Sequence, residues 1–337
     1  MNSLITKLKS SHLLRTFSRD GVQGLRLTAT CKKLLLDKQY YGLSSYITGL
    51  SETNRPKCEL IRRLRLHRMA EVLTPMANAG VNYLPWEKPP ILRERRVYPP
   101  DTLPCPVYYT SKEVKEMGQQ ARMITSSRFT GILFTDGGLF LAYNARDGSM
   151  LWEGKAEIRL KNLIFTELCQ YRLRERYVHT PVSSLVFGSG MDAMPTIMRE
   201  RKEGRRNYFV LDSSFEHFYF LPNDRRGEDL LRLLWDGALR EELNELLSED
   251  LRPADPDCPI ENDAMETGGA PVLFAYLCDM PRIQRFVTGL ELHERGGTLI
   301  CFDFQKEAMR QVCGSRVSIQ GINYQRFKEA YLSRNES

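Results

Sequence analysis

The chain has 337 residues, 42% of them hydrophobic, with 48 Lys+Arg against 42 Asp+Glu and a net charge of +6. Such a length predicts two domains, and such an apolar content predicts a packed core, which excludes a disordered chain. No run of about 18 uncharged apolar residues occurs, and the opening MNSLITKLKSS holds no continuous apolar segment, so neither a membrane span nor a secretion signal is expected.

The charge is unevenly placed. Residues 1–70 hold 14 Lys+Arg and four Asp+Glu, a local +10, while the rest of the chain sums to −4. A basic head on a near-neutral body points to a polyanionic partner; a solvated helical surface is the plain alternative. The eight cysteines, at 31, 58, 105, 169, 258, 278, 301 and 313, are never closer than 12 residues. Tetrahedral zinc sites use close Cys or His pairs, so no structural zinc is expected, and free thiols in a reducing cytoplasm are.

In the head, residues 2–10 predict a short helix with Leu4, Ile5 and Leu8 on one side and Thr6, Lys9 and Ser10 on another. Residues 13–17 and 25–28 read as strands around a turn holding Asp20-Gly21 and Gly24. Thr28 is placed to cap the helix that follows, residues 40–54 read as irregular, and a long arginine-rich helix ends at Gly80. Residues 81–107 contain seven of the 17 prolines. Proline fixes φ and removes a donor, so this stretch is expected to be a stiff linker between a head of 1–80 and a body of 108–337.

In the body, residues 111–123 predict a helix, and 131–134, 139–143 and 150–158 predict strands separated by Gly-containing turns. A helix near 160–177, a strand at 184–187, a short helix, a strand pair NYFVLD and EHFYFL, and one long helix over 226–247 follow. Residues 249–269 are acidic, contain proline and are poor in apolar side chains, which predicts a mobile loop. The remainder alternates strand and helix to the end, with no internal repeat in the sequence.

The order helix, strand, basic loop, strand, helix at the start of the chain is that of a winged helix, whose wing reaches for phosphate and therefore needs basic side chains. Arg15, Arg19 and Arg26 would charge the wing, Thr6, Lys7 and Lys9 the preceding helix, and Lys32 and Lys33 the following one. An ordinary hairpin packed on a helix is the alternative. The first two helices of a complete helix-turn-helix would have to precede Asn2, so the domain is expected to be partial. With GLRLTATCKKLLL, with IRRLRLHRMAEVL after it, and with SRFTGILFTDGGLFLAYNARDGSMLWEGKAEIRLKNLI in the body, the chain resembles the replication-relaxation family of plasmids and integrative conjugative elements. The resemblance implies an α+β architecture, a winged helix joined to a mixed α/β body with a nuclease-like sheet. It also implies a DNA-binding accessory protein acting in replication, relaxation or transfer of a mobile element. The partners expected from it are double-stranded DNA, a relaxase or other transfer protein, and a second copy of the chain as a homodimer.

One constellation raises catalysis. Asp136 in FTDGG, then Glu153 and Lys155 on a strand, matches an acidic…acidic-x-Lys pattern in which two carboxylates hold Mg²⁺ against a phosphate and the lysine steadies developing charge. Glu157 would share their side of the strand as a spare ligand. Alternating charges on a solvated face explain the same residues, and without a nuclease no cofactor is expected. Gly188-Ser-Gly190-Met-Asp-Ala193, with Asp212 after it, has the spacing of a dinucleotide fingerprint or of a plain glycine turn from strand to helix. The five histidines, among them His67 and His217, form no metal-ligand spacing, and His217 reads as a core or edge-strand residue.

Overall fold

The computed structural model describes residues 2–37, 47, 60–124, 126–148, 150–199, 209 and 211–332. The irregular stretch predicted at 40–54 and the side chains of 62, 63 and 65 lie outside them almost entirely. The protein is mixed α+β, 46% helical and 22% strand. It divides into a smaller unit, Met1–Ala70 with Leu84–Pro89, and a larger one, Glu71–Tyr83 with Pro90–Ser337.

The smaller unit opens with α1 (Asn2–Ser10), the antiparallel pair β1 (Leu14–Arg19) and β2 (Val22–Leu27), and α2 (Ala29–Asp37). Asp20 and Gly21 both take positive φ, 53° and 72°. This is the two-residue turn whose twist matches that of the strands, and Asp-Gly favours it because both positions need left-handed backbone. Thr28 closes the unit as expected. Its hydroxyl accepts from the Cys31 amide at 3.1 Å, capping α2, and donates to the His12 carbonyl at 2.6 Å.

The chain enters the larger unit inside α3 (Leu60–Asn78). Gly80 ends that helix at φ 77°, its amide donating to Ala77 and that of Val81 to Met76, a paired cap that needs a left-handed residue. The proline-rich stretch differs from the expected linker. Ile91, Leu92, Tyr98 and Leu103 are buried in the core of the larger unit, and Arg172, 1% exposed, donates to the carbonyls of Ile91 and Leu92 at 2.8 Å each.

The first sheet of the larger unit has the order β3 (Val107–Thr110), β4 (Gly131–Phe134), β5 (Leu139–Arg146), β6 (Val182–Gly188), β7 (Phe218–Pro222). The first three form an antiparallel meander, and β6 and β7 join parallel to β5. Strand alternation sends Ile132, Phe134, Leu141 and Tyr143 into one core and Leu133, Phe140, Ala142 and Leu185 into another, so the central strands are covered on both faces. Between β3 and β4 lie α4 (Ser111–Val114) and α5 (Gln119–Met123), the first opened by Thr110 and Glu113 in a capping box.

The expected strand at 150–158 is instead α6 (Gly154–Ile164), which continues through a π-helical stretch, Phe165–Arg172, into α7 (Arg174–Tyr177). Ala156, Glu157, Leu160 and Ile164 are its buried positions. The helical i, i+4, i+8 spacing of Ala156, Leu160 and Ile164 prevails over the period-two alternation of exposed charges. Likewise β7 is parallel to β6 after α8 (Ala193–Arg199), and Phe209, Leu211 and Asp212 form no strand. The long helix expected at 226–247 is two, α9 (Arg225–Trp235) and α10 (Gly237–Ser248), because Asp236 accepts from the Leu239 amide and starts a new helix.

The second sheet runs β8 (Arg252–Pro253), β9 (Ala264–Met265), β10 (Pro271–Phe274), β11 (Gly297–Phe302), β12 (Val317–Ile322) in spatial order. Crossovers through α11 (Met280–Leu292) and α12 (Lys306–Val312) make its last three strands parallel, and α13 (Tyr324–Phe327) follows. Residues 249–269, expected as a mobile loop, supply its antiparallel edge. Ile260 is buried, Glu261 binds Arg282 and Arg285, and Asp263 accepts from Arg282 and from the Phe274 amide, both at 2.8 Å. The two sheets repeat one plan, antiparallel, antiparallel, parallel, parallel, a repetition of topology that the sequence does not display.

Candidate functional site

The β1–β2 register places Arg15 directly opposite Arg26, hence on one face of the hairpin, and Phe17 and Arg19 follow Arg15 on that face at steps of two. Arg26 stacks on the Phe17 ring at 5.3 Å, as that register requires. Arg15 and Arg19 are exposed and Arg26 is half-buried. On α1, Thr6, Lys7 and Lys9 are exposed; on α2, Lys33 is exposed and Lys32 half-buried. The three hairpin arginines are thus neither sealed in the unit nor scattered over unrelated faces. Strand geometry separates Arg15 from Arg19 by roughly 13 Å, a span that covers several phosphates of a duplex.

The nuclease constellation does not form. Asp136 is exposed in the turn between β4 and β5 and is bound by Arg176 of α7. Glu153 precedes the first residue of α6, at the opposite end of the helical run 154–177. At 1.5 Å per residue that run is on the order of 30 Å long, whereas carboxylates sharing one ion each lie within about 2.6 Å of it. Lys155 sits exposed in the first turn of α6. Glu157, expected as a spare ligand, is fully buried and accepts from Tyr143 Oη at 2.7 Å, Ser127 Oγ at 2.8 Å and the Arg128 amide at 3.3 Å. Burial lifts its carboxyl above the ordinary range, with the donated bonds pulling the other way. Among the described residues no group of three His, Cys, Asp or Glu is placed to hold a metal ion. The polar pair at the end of β5, Asn144 and Arg146, is spent on Glu71, to which Asn144 Nδ2 donates at 2.8 Å and Arg146 Nε at 3.0 Å.

Gly188, the last residue of β6, is there for packing, whereas Gly190 lies in open space. A Cβ on Gly188 would fall 2.3 Å from the Phe220 ring. Asp212, the would-be ribose ligand, instead accepts from Trp152 Nε1 and from the Ser214 amide, both at 2.9 Å.

A polar cavity of about 350 Å³ lies where the amino ends of β5, β6 and β7 meet the carboxyl end of β10. His217 lines it, its Nδ1 2.7 Å from Asp279 Oδ2, while Asp279 Oδ1 accepts from the Phe218 amide at 3.3 Å. That bond to Asp279 raises the imidazole's pKa above its ordinary value, against the effect of burial. Tyr219 stacks on the imidazole at 5.9 Å, and burial pushes its phenol up to about 12. From α10 come Arg240 and Asn244; from α11, Arg282. No local motif announces this site, because His217 and Asp279 stand 62 residues apart in the chain.

No family model, curated protein or solved structure matches the chain. The seven described cysteines are free thiols, and no helix among the described residues is long and apolar enough to cross a membrane.

Proposed function

We propose that this chain is a DNA-binding accessory protein of a mobile genetic element, cytoplasmic, acting in plasmid or conjugative-element replication, relaxation or transfer. The observation that carries the reading is the placement of Arg15, Arg19 and Arg26 on one face of a two-stranded hairpin flanked by helices that expose Lys7, Lys9 and Lys33. This is the order and chemistry of a winged helix's wing, which lies along duplex phosphates. The body supplies a surface for a relaxase, another transfer protein or a second copy of the chain.

A gel-shift titration over a salt series tests the proposal. Each phosphate neutralised steepens the fall of log affinity with log salt by about 0.9. Replacing Arg15, Arg19 and Arg26 together by alanine is expected to weaken duplex binding and to flatten that slope by about 2 to 3. Absence of any shift by the unmodified chain at low salt overturns the reading.

A further inference from the structure

The cavity bounded by His217, Tyr219, Arg240 and Asn244 has a surplus of hydrogen-bond donors. Its two carboxylates are already engaged: Asp279 by His217 and the Phe218 amide, Asp263 by Arg282 and the Phe274 amide. Asn244 Oδ1 accepts from Tyr276 Oη at 2.7 Å, which leaves its amide nitrogen as a donor with no partner among the described residues. The Arg240 guanidinium makes one hydrogen bond among the described residues, from Nη1 to the Leu234 carbonyl at 3.3 Å, and meets no carboxylate there within ion-pair distance. Its charge, with that of Arg282, acts on both the Tyr219 and Tyr276 phenols, which places it beside them. Tyr219 Oη and His217 Nε2 have no partner among the described residues. The remaining capacity is thus donors around one guanidinium that no carboxylate among the described residues meets within ion-pair distance.

We infer that this cavity binds a small organic oxyanion, a carboxylate or a phosphate monoester, seated on Arg240 with Asn244 and Tyr219 as neutral donors. Phe140, Phe274 and Tyr276 offer the apolar wall against which the body of such a ligand packs. The volume lies in the range of small-ligand sites, which combine apolar walls with a few convergent polar groups. A guanidinium is the group of choice for an oxyanion because its fork donates two parallel bonds. The site is wholly within the larger unit and shares no residue with the hairpin, so the two proposals stand or fall separately.

Isothermal titration of the full chain with thymidine 5′-monophosphate and, separately, with benzoate tests it and tells the two sources apart. Saturable binding of either probe is expected, weakened roughly tenfold or more by Arg240→Gln, which removes a charge-assisted pair. Tyr219→Phe, which deletes only a hydroxyl, is expected to weaken it by a smaller factor. Circular dichroism confirms that each variant is folded. Failure of both probes to bind the folded unmodified chain, or binding by folded Arg240→Gln and Tyr219→Phe at unchanged affinity, overturns the inference.

Discussion

His217 shows how far one side chain can depend on a residue distant in sequence. Alone it is a histidine in an aromatic-rich segment; in the fold it is paired with Asp279, with Glu216 also favouring its charged form and Arg282 opposing it. Arg240, Asp263 and Tyr219 line the same cavity. Because its folded pKa is raised, the stabilisation it contributes is fully present below the ordinary imidazole value near 6.5. It is lost as pH rises through the higher folded value. The denaturant midpoint is therefore expected to fall as pH rises above the ordinary imidazole value near 6.5, and His217→Gln to flatten that fall. An unchanged slope in the variant would show that the pair contributes nothing to stability. Glu157 tells a parallel story, since a carboxylate expected to face solvent is held in the core by Tyr143 and Ser127.

Among the elements, short-range signals were the legible ones. Asp20-Gly21 marks the hairpin, Thr28 caps α2 and Gly80 stops α3, each through backbone chemistry completed within a few residues. Gly21 offers a direct check. A Cβ there would meet nothing within 4 Å, so only its φ of 72° opposes substitution. Gly21→Val is expected to cost about 1–2 kcal/mol of hairpin stability and to open residues 14–27 to protease. Gly24→Ala, also in open space and free of the left-handed requirement, should leave cleavage unchanged. Equal cleavage in both variants would remove the turn from the account. The misread elements failed for a different reason. At Glu153, Lys155 and Glu157 an alternation of charge imitates a strand, while the apolar spacing of Ala156, Leu160 and Ile164 is helical. In 225–248 the break depends on Asp236 turning its carboxylate back onto the Leu239 amide.

At the scale of the molecule, the two main cores lie entirely in the larger unit, from Val72 onward. A chain of residues 71–337 is expected to keep the near-ultraviolet circular dichroism and cooperative unfolding of that unit and to lose duplex binding. Retained DNA affinity in this fragment would move the interface from the hairpin to the body. The acidic stretch 249–269 belongs to this scale too: its composition reads as disorder, yet Glu261 and Asp263 find Arg282 and Arg285 on α11.

By itself the sequence determined the α+β class, the basic hairpin between two helices, most of the strands and the absence of close cysteine pairs. These follow from local backbone preferences and from apolar periodicity, both readable in a window of a few residues. Only the tertiary structure decided that Asp136 and Glu153 stand apart, that the proline-rich stretch packs into a core, and that His217, Arg240 and Asn244 share a cavity. Those outcomes depend on which distant segments become neighbours, and a charge reveals its partner only once the chain has brought the two together.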